Sequence, residues 1–334
     1  MSSETKIAEF RAFAERASQL PRLVIQAHDF PDHDAVSSSW ALAHLLGHFG
    51  VRTVLTYNGL IDRISLKNMI DWLEIDIRHW SDCDLTEDDK IITVDGCIGE
   101  KNVMDLPGDE IAVIDHHQVS APGELWFEDV RPHYGATATI IYEYYTALDI
   151  PIPTPVATAL HVGLMIDTAN LTRGIDDADI QAFAGFQKIA DKRLIGQICR
   201  NSMRQSEMSY FVDLLTNLRV HDKTAFGWLQ GGCPKNMLGI LGDFLISIDE
   251  LDTIILAAQQ EQFIQLSLRT ENRDINVGRL VKNLLLQQDI GFGGGHWHMA
   301  GGIIDRGKYN PPDTGTALHD LFLTGLATDR IKDK

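Results

Sequence analysis

Residues 23–35 have the sequence LVIQAHDFPDHDA, and this stretch decides the fold. The apolar run from Leu23 to Ile25 predicts a buried strand that ends at His28. A polar loop follows, and the segment from about Ala35 to His48 predicts a helix that stops at Gly50. A buried strand, a loop rich in Asp and His, and a helix form the first strand–helix unit of an α/β protein.

The same pattern recurs along the first half of the chain. Val51–Tyr57 predicts a second strand, Ile91–Val94 a third that ends at Asp95, and Ile111–Ile114 a fourth that ends at Asp115. Strands that are apolar throughout and separated by helices indicate a parallel sheet covered on both faces. In such sheets ligands bind beyond the carboxyl ends of the strands. Three strands run into His or Asp there, so we expect these polar residues to converge in space.

Helices flank this sheet in the sequence. Apolar residues at steps of three and four predict an amphipathic helix from Ile7 to Ala17, closed by Pro21. A second apolar helix, Val156 to about Ile166, delivers Asp167, and a third is predicted over Ile180–Ala190.

The second half of the chain has a new succession of strands and helices. Strands are predicted at Ala225–Leu229, Thr253–Ala257 and Phe263–Leu268, followed by a helix from Val277 to about Leu286 and a glycine-rich turn. The predicted fold class is α/β: an N-terminal doubly wound, mostly parallel sheet domain and a smaller C-terminal α/β domain. The predicted bounds are 1–195 for the first domain, 196–220 for a helical connector and 221–334 for the second domain.

The amino-acid composition limits which classes of molecule this chain can bind. The 334 residues include 29 Lys+Arg and 47 Asp+Glu, a formal net charge of −18, and long nucleic acid is usually bound by a basic surface. We therefore expect no long nucleic-acid partner. No signal segment and no apolar run of about 20 residues is visible, so we expect a cytoplasmic location without membrane contact. The four cysteines are widely scattered, which favours reduced, mostly buried thiols.

Acidic and histidine residues cluster at the predicted strand ends. The first cluster, His28 with Asp32 and Asp34, has the spacing H-x-x-x-D-x-D. Carboxylates packed together repel unless a cation neutralises them, and oxygen-rich ligation with imidazole suits Mn²⁺ or Mg²⁺. The alternative is an N-cap loop in which Asp32 or Asp34 caps the next helix.

Three further signals follow in order along the chain. Asp95 precedes a glycine, which alone is a common turn. Asp115-His116-His117 places three coordinating or titrating groups at one strand end, although a paired Asp and His can be purely structural. Asp167 ends an apolar helix, where the helix dipole disfavours a negative charge and a nearby cation would offset it.

These four motifs resemble those of the DHH phosphoesterase superfamily, which is named for the triplet seen here as Asp115-His116-His117. The resemblance implies a catalytic N-terminal domain with two metal ions. By that resemblance Asp115 orients the adjacent imidazole, His117 faces the reacting phosphate, and His117 and Asp95 are the catalytic residues. The implied metal ligands are His28, Asp32 and Asp95 for one ion and Asp34, His116, Asp167 and again Asp95 for the other.

A glycine-rich segment, Gly291–Gly302, follows the last predicted helix. On its own such a segment is more often a turn, but it resembles the G-G-G-H motif of the DHH-associated C-terminal domain of NrnA-type oligoribonucleases, cyclic di-AMP phosphodiesterases and RecJ nucleases. That domain also has an arginine on a preceding strand, which Arg269 matches; its alternative is a salt bridge at a strand edge. The resemblance implies a phosphate clamp of Arg269 and His296, and the implied substrate-binding residues are Arg269, Gly293, Gly294, Gly295 and His296.

One position departs from the motif. Trp297 follows the histidine where NrnA-like sequences commonly have proline. A tryptophan there could stack on a base or fill the core of the domain, and we expect core filling.

The expected activity is hydrolysis of a phosphate ester with two Mn²⁺, or Mg²⁺, in an active site in the interdomain cleft. The expected substrates are short linear 5′-phosphorylated oligonucleotides, especially dinucleotides such as pGpG or pApA, cleaved to mononucleotides. Alternatives are a 3′-phosphoadenosine 5′-phosphate phosphatase, a stand-alone cyclic di-AMP phosphodiesterase and a non-catalytic nucleotide-binding protein. Base preference and oligomeric state, a homodimer included, stay open.

Overall fold

The computed structural model describes residues 3–119, 123–200 and 203–332. The described residues leave out 201 and 202 of the predicted connector. They also leave out 1–2, 120–122 and 333–334 of the predicted domains. The chain divides into two compact units, Met1–Met203 and Arg204–Lys334.

The first unit is built on a six-stranded sheet. Its strands are β1 (Leu23–Ala27), β2 (Thr53–Tyr57), β3 (Ile77–His79), β4 (Lys90–Val94), β5 (Asp109–Asp115) and β6 (Phe127–Val130). Its helices are α1 (Ser3–Ala17), α2 (His33–Gly47), α3 (Ile64–Trp72), α4 (Thr137–Ala147), α5 (Thr154–Asp167), α6 (Asp177–Ile189) and α7 (Lys192–Arg200).

The order of the strands is β3-β2-β1-β4-β5-β6, and every pairing among them is parallel. Strand β1 is buried along its whole length, as a central strand covered on both faces requires. The order reverses between β1 and β4, so a crevice opens there at the carboxyl ends of the strands. His28 follows β1 and Asp95 follows β4 at this crevice.

The sequence patterns did not predict α3, β3, β6, α4 or α7. Helix α4 matters most for the site, and its sequence TATIIYEYYTA is rich in β-branched and aromatic residues, which have modest helix propensity. Ile140, Ile141, Tyr144 and Tyr145 are fully buried in the main core, so tertiary packing rather than propensity stabilises this helix.

The second unit has a mixed sheet and four helices in the described part of the chain. Its strands are β7 (Arg219–His221), β8 (Thr224–Leu229), β9 (Thr253–Gln259), β10 (Phe263–Thr270), β11 (Gly291–Gly295) and β12 (Met299–Asp305). Its helices are α8 (Met208–Asn217), α9 (Lys235–Ile246), α10 (Val277–Gln287) and α11 (Thr314–Lys332). The strand order is β11-β12-β10-β9-β8-β7, with β8 and β9 parallel and the other pairs antiparallel. The predicted α/β class with a smaller C-terminal α/β unit is confirmed.

The segment predicted as a connector contains parts of both units. Ile198 of α7 is buried in a cluster of the first unit, and Leu214 of α8 is buried in a core of the second. The division of the chain falls between these two helices, at Met203 and Arg204.

The prediction of a turn at the glycine-rich segment was wrong. Gly291–Gly295 is the edge strand β11, which pairs antiparallel with β12, and the turn is limited to residues 296–298. The glycines allow this close pairing, because a Cβ on Gly291 would lie 2.0 Å from the carbonyl oxygen of Ile303.

Three of the four cysteines, Cys83, Cys97 and Cys233, are buried, Cys199 is exposed, and all four thiols are free. No helix among the described residues is long and apolar enough to span a bilayer.

Candidate metal centre

Four segments of the first unit bring acidic and imidazole groups together at the crevice. They are the loop after β1 together with the first turn of α2, the end of β4, the end of β5 and the C-terminus of α5. In each of three overlapping groups the potential ligand atoms lie within 4.8 Å of one another. The groups are His28, Asp32 and Asp95; Asp34, His116 and Asp167; and Asp95, His116 and His117. All six residues predicted from the sequence as metal ligands therefore converge; their ligation stays a prediction.

The first group lies around His28. Its Nε2 atom is 3.7 Å from Asp95 Oδ2 and 3.9 Å from Asp32 Oδ1. Asp32 also caps α2, since its Oδ1 accepts hydrogen bonds from the backbone N–H groups of Asp34 and Ala35. The N-cap alternative is thus realised at Asp32, in addition to its place in the cluster.

Asp34 is fully buried and fixed by groups from two other helices. The backbone N–H groups of Thr137 and Ala138, at the start of α4, donate to its two oxygens at 2.6 and 3.0 Å. These N–H groups belong to the positive end of the helix dipole, so they stabilise the carboxylate. Gly163 lets α5 approach, because a Cβ there would lie 3.0 Å from the Cα of Asp34.

The start of α4 also holds Asp95, a contribution that the sequence reasoning missed. The hydroxyl of Thr137 donates to Asp95 Oδ1 at 2.8 Å. Buried Asp179 on α6 keeps this region in place by accepting hydrogen bonds from Gly135 N–H and the Thr139 hydroxyl. The only signal in the sequence was the run of small and hydroxyl residues at 135–139, GATAT, which is not specific.

Asp95 has an uncommon backbone conformation. Its φ of 60° lies in the left-handed region, which Asp tolerates better than most residues. The next residue must be small, because a Cβ on Gly96 would lie 2.9 Å from the Cβ of His28 and 2.8 Å from Val103. The Asp-Gly pair thus packs the end of β4 against the loop after β1.

The second group is centred on His116. Its Nε2 lies 3.2 Å from Asp167 Oδ2 and 3.5 Å from Asp95 Oδ1, while its Nδ1 lies 3.1 Å from the carbonyl oxygen of Tyr134. A carbonyl only accepts, so Nδ1 carries the proton of the neutral ring and Nε2 presents a lone pair to the carboxylates.

The prediction that Asp115 orients the adjacent imidazole was wrong. Asp115 Oδ1 lies 2.8 Å from Nδ1 of His117 and accepts a bond from the backbone N–H of His117 at 2.9 Å. His116, directly after Asp115, points towards Asp95 and Asp167 instead. The side chain of His117 lies beside Asp115. Asp115 is fully buried, whereas the His117 side chain is about half exposed beside the cluster.

A buried ion-pair network supports the loop that holds His116. The Arg131 guanidinium makes a bidentate pair with Asp129, both bonds at 2.8 Å, and a further bond with Glu143. Glu143 accepts a bond from the hydroxyl of Tyr134 at 2.7 Å, and the carbonyl of Tyr134 is the group facing His116. Such outer partners commonly orient histidine ligands of metals.

The pKa values report strong repulsion among the carboxylates. Burial, followed by the charge of Asp95, raises the pKa of Asp34 well above its usual range. Burial, together with the charges of Asp32 and Asp167, raises the pKa of Asp95 to about 7 against the attraction of His116. Burial lowers the pKa of His116, but Asp167, Asp95 and Asp34 outweigh it and raise the value to about 10. A retained proton or a bound cation would relieve this repulsion.

The donor set fits divalent cations. Nε2 of His116 is buried and, among the described residues, makes no hydrogen bond of good geometry. Nε2 of His28 likewise faces Asp32 and Asp95, and its Nδ1 lies 2.8 Å from the carbonyl oxygen of Asp29. Each ring has its Nδ1 against a backbone carbonyl, so in the neutral form its Nε2 would offer a lone pair to a cation bound among the carboxylates. Oxygen ligands with some imidazole match Mn²⁺ or Mg²⁺.

The residues predicted to bind substrate lie in the second unit. Arg269 donates from Nε to Asp243 Oδ1 at 2.8 Å, so the salt-bridge alternative is realised, and from Nη1 to Ser267 and Leu268. His296 lies in the exposed β11–β12 turn, where its backbone N–H donates to Met299 at 2.8 Å. Their role in substrate binding, with that of Gly293, Gly294 and Gly295, stays a prediction.

The prediction that Trp297 fills the core was wrong. Its side chain is 46% exposed and belongs to none of the hydrophobic clusters of the described residues. The turn residues are fixed through their backbones instead, as when the carbonyl of Trp297 accepts a bond from Val277 N–H at 2.9 Å.

Two domain families match this chain. The N-terminal domain of the DHH family matches residues 22–164, and the DHHA1 domain matches residues 221–314. An uncharacterized protein of Methanocaldococcus jannaschii is 29% identical over 90% of this chain and 61% of its own length. A probable manganese-dependent inorganic pyrophosphatase of Shouchella clausii is 28% identical over 45% of this chain and 48% of its own length. This chain thus spans less than two thirds of either relative.

The fold is also found in a solved structure. An exopolyphosphatase-related protein of Bacteroides fragilis superposes with a TM-score of 0.72 over 98% of this chain and 97% of its own, at 20% identity. At that identity the likeness concerns the fold alone.

Proposed function

Because this chain belongs to the DHH family and carries a DHHA1 domain, we propose that it is a metal-dependent phosphoesterase that cleaves short phosphorylated nucleotides. The observation that carries the proposal is the convergence of His28, Asp95 and His116 with three further carboxylates at one sheet edge. The fold, the order of the motifs and a relative named as manganese-dependent support a divalent cation, with Mn²⁺ favoured. We also propose that two of these ions bind at the same time.

The two ions would be held by the two groups of ligands that share Asp95. His28 and Asp32 would complete one site, and Asp34, His116 and Asp167 the other. Bound divalent cations supply charge neutralisation on the phosphoryl oxygens and a more acidic water as nucleophile. His117, fixed by Asp115 and half exposed beside the cluster, would stabilise the phosphate or assist the leaving oxygen.

The proposed substrates are linear 5′-phosphorylated dinucleotides such as pGpG or pApA. In the second unit, Arg269 and His296 would bind the terminal phosphate, the arginine through its guanidinium. Binding of a terminal phosphate favours very short substrates over polymers, and the net charge of −18 agrees with this preference.

The test is a length series of 5′-phosphorylated oligonucleotides, from two to about ten nucleotides, incubated with the protein and Mn²⁺. The fastest turnover is expected for the dinucleotide, and faster cleavage of the longer strands would overturn the assignment. Asp95→Asn is the matched inactive variant, since it keeps the shape of the shared ligand and removes its charge. Activity retained in that variant would remove the proposed role of Asp95.

Inorganic pyrophosphate is the second candidate substrate, because a relative of that name matches the first half of this chain. That match covers 45% of the chain, and the DHHA1 domain lies in the other half. Pyrophosphate, 3′-phosphoadenosine 5′-phosphate and cyclic di-AMP belong in the same assay as competing substrates. A kcat/KM for any of them above that for pApA would reassign the substrate.

A further inference from the structure

The loop between the candidate metal ligands His28 and Asp32 holds an aromatic residue in an uncommon conformation. The φ of Phe30 is 54°, in the left-handed region, where a bulky side chain is a rare exception. Pro31 follows, and the residue before a proline prefers an extended backbone. Such a conformation costs free energy and persists only where the surrounding structure fixes it. The backbone at Phe30 is therefore strained.

Hydrogen bonds to other loops fix the backbone around Phe30. Its N–H donates to the carbonyl oxygen of Asn58 at 2.8 Å, and the N–H of Asp29 donates to the carbonyl oxygen of Asn102 at 2.7 Å. Asp29 Oδ1 also accepts a bond from the backbone N–H of Met104 at 3.1 Å. The point from which the Phe30 side chain extends is thus set before any ligand binds.

One face of the Phe30 ring is covered and the other is open. A Cβ on Gly59 would lie 2.8, 2.9 and 2.9 Å from the ring atoms Cδ1, Cε1 and Cγ, which places it over the face of the ring. The backbone of Gly59, whose φ is +85°, therefore supports that face. Phe30 is nevertheless 63% exposed, and Leu60, the next residue after Gly59, is 66% exposed. The ring rests on the backbone with its other face towards solvent.

This open ring lies at the edge of the sheet where the candidate ligands converge. Phe30 follows β1 and Gly59 follows β2, and these parallel strands end at the same edge. Arg63, in the loop of Gly59, is exposed, and its guanidinium makes no hydrogen bond or ion pair in the described part of the chain. Burial raises the pKa of Asp32, but the charges of His28 and, more weakly, Arg63 help to lower it overall. A flat apolar surface and a cation thus border one candidate ligand.

The proposed reaction determines which part of a substrate is held on this side. When water attacks the phosphorus of a linear dinucleotide, the bond to the 3′-oxygen of the first nucleoside breaks and that oxygen takes up a proton. The phosphate stays on the 5′-oxygen of the second nucleoside. In the proposed function Arg269 and His296 bind the terminal phosphate of the first nucleotide, so the second nucleoside is the part that still lacks a partner.

We infer that Phe30 is a specificity-determining residue, which stacks on the base of the second nucleotide while the scissile phosphate lies at the metal ligands. This inference rests on the proposed function. Every base has a flat face, so the ring favours substrates that have a second nucleoside without selecting one base. The role also explains the strained backbone, since glycine or asparagine would adopt the same φ more easily but would offer no ring.

The test compares pApA with an abasic dinucleotide, which has the same phosphates but hydrogen in place of the second base. With Mn²⁺ the wild type should have the higher kcat/KM for pApA. Phe30→Asn should lower kcat/KM for pApA about 5- to 150-fold, the range for loss of one base–aromatic stack, and leave that for the abasic substrate unchanged. Phe30→Tyr keeps the ring and should behave as the wild type. Trp72→Ala is the matched control, because Trp72 is an exposed aromatic residue at the C-terminal end of α3 in the same unit.

The melting temperature of Phe30→Asn separates a lost contact from a damaged fold. It should equal or exceed that of the wild type, because Asn adopts a positive φ more readily than Phe, and a marked decrease would overturn the inference by showing that the fold itself requires Phe30.

Equal kcat/KM for the two substrates in the wild type, or a preference for pApA that survives in Phe30→Asn, would also overturn it. So would an equal loss on both substrates, which would show a role in holding the metal loop. The proposed function fails by a different result, absence of Mn²⁺-dependent hydrolysis of pApA and of bis(p-nitrophenyl) phosphate, and that result would remove this inference with it.

Discussion

Replacement of Arg131 tests whether the buried ion-pair network maintains the metal centre. Arg131 is the single cation between Asp129 and Glu143 in the contacts described, and its side chain is only 10% exposed. Arg131→Met keeps much of the side-chain volume and removes the charge. Asp129, 2% exposed, then keeps only the hydroxyl of Tyr144 at 2.7 Å as a side-chain donor.

The expected loss is large. Removal of one partner of a buried ion pair costs about 3–5 kcal/mol, because the remaining charge is uncompensated. For a unit of this size each kcal/mol lowers the melting temperature by roughly 2–4 °C, so a decrease of about 6–20 °C is expected. Mn²⁺ affinity should fall as well, by about 10- to 100-fold, since Tyr134 is the link from the network to His116.

The measurements are thermal denaturation for the melting temperature, urea denaturation for the free energy of unfolding, and calorimetric Mn²⁺ titration. The matched control is Arg78→Met, because Arg78 makes a similar bidentate pair with Asp76 at 2.9 Å but on the surface. Exposed pairs contribute at most about 1 kcal/mol, so this control should change neither quantity much. If Arg131→Met were as stable as the control and bound Mn²⁺ normally, the network would have no supporting role.

Three further results are expected. In the metal-free protein the free energy of unfolding should fall as pH rises from about 4 to 7, because Asp95, with its pKa raised to about 7, keeps its proton to higher pH in the folded state than in the unfolded state. Thermal melts of EDTA-treated protein at pH 5 and pH 7.5 check this. Added Mn²⁺ should abolish the fall. Gly96→Ala should lower Mn²⁺ affinity in titration calorimetry, because the new methyl group displaces His28; normal affinity would contradict the close packing. Asp243→Asn should lower the KM for pApA by removing an anion that competes for Arg269, and an unchanged KM would show that this arginine does not bind the phosphate.

The sequence was sufficient for the four central strands of the first sheet and for the convergence of the candidate ligands, because both depend on local patterns. Apolar strands that end in Asp or His predicted the convergence of His28, Asp95 and His116, since parallel strands end at one edge. The support of these ligands was not predictable. The bonds from α4 to Asp34 join residues more than 100 positions apart and use backbone N–H groups, which every residue has.

The directions in which side chains point could not be predicted from the sequence either. The triplet Asp115-His116-His117 contains the right groups, but which imidazole Asp115 contacts depends on the local backbone after β5. The glycine-rich segment was predicted as a turn because glycine is depleted in strands, and here close pairing with β12 overrides that tendency. Trp297 was assigned to the core from its size, whereas the turn geometry exposes it.

The spread of the acidic cluster along the chain has a consequence for synthesis. Its members extend from His28 to Asp167, so the set is complete only after α5 has been synthesised. Until then a growing chain has several of the repelling carboxylates without the complete set of ligands, and the loops that join them are long and slow to close. Cation capture is therefore a late event in biogenesis, and a chain interrupted before α5 would remain exposed to proteolysis even in abundant manganese.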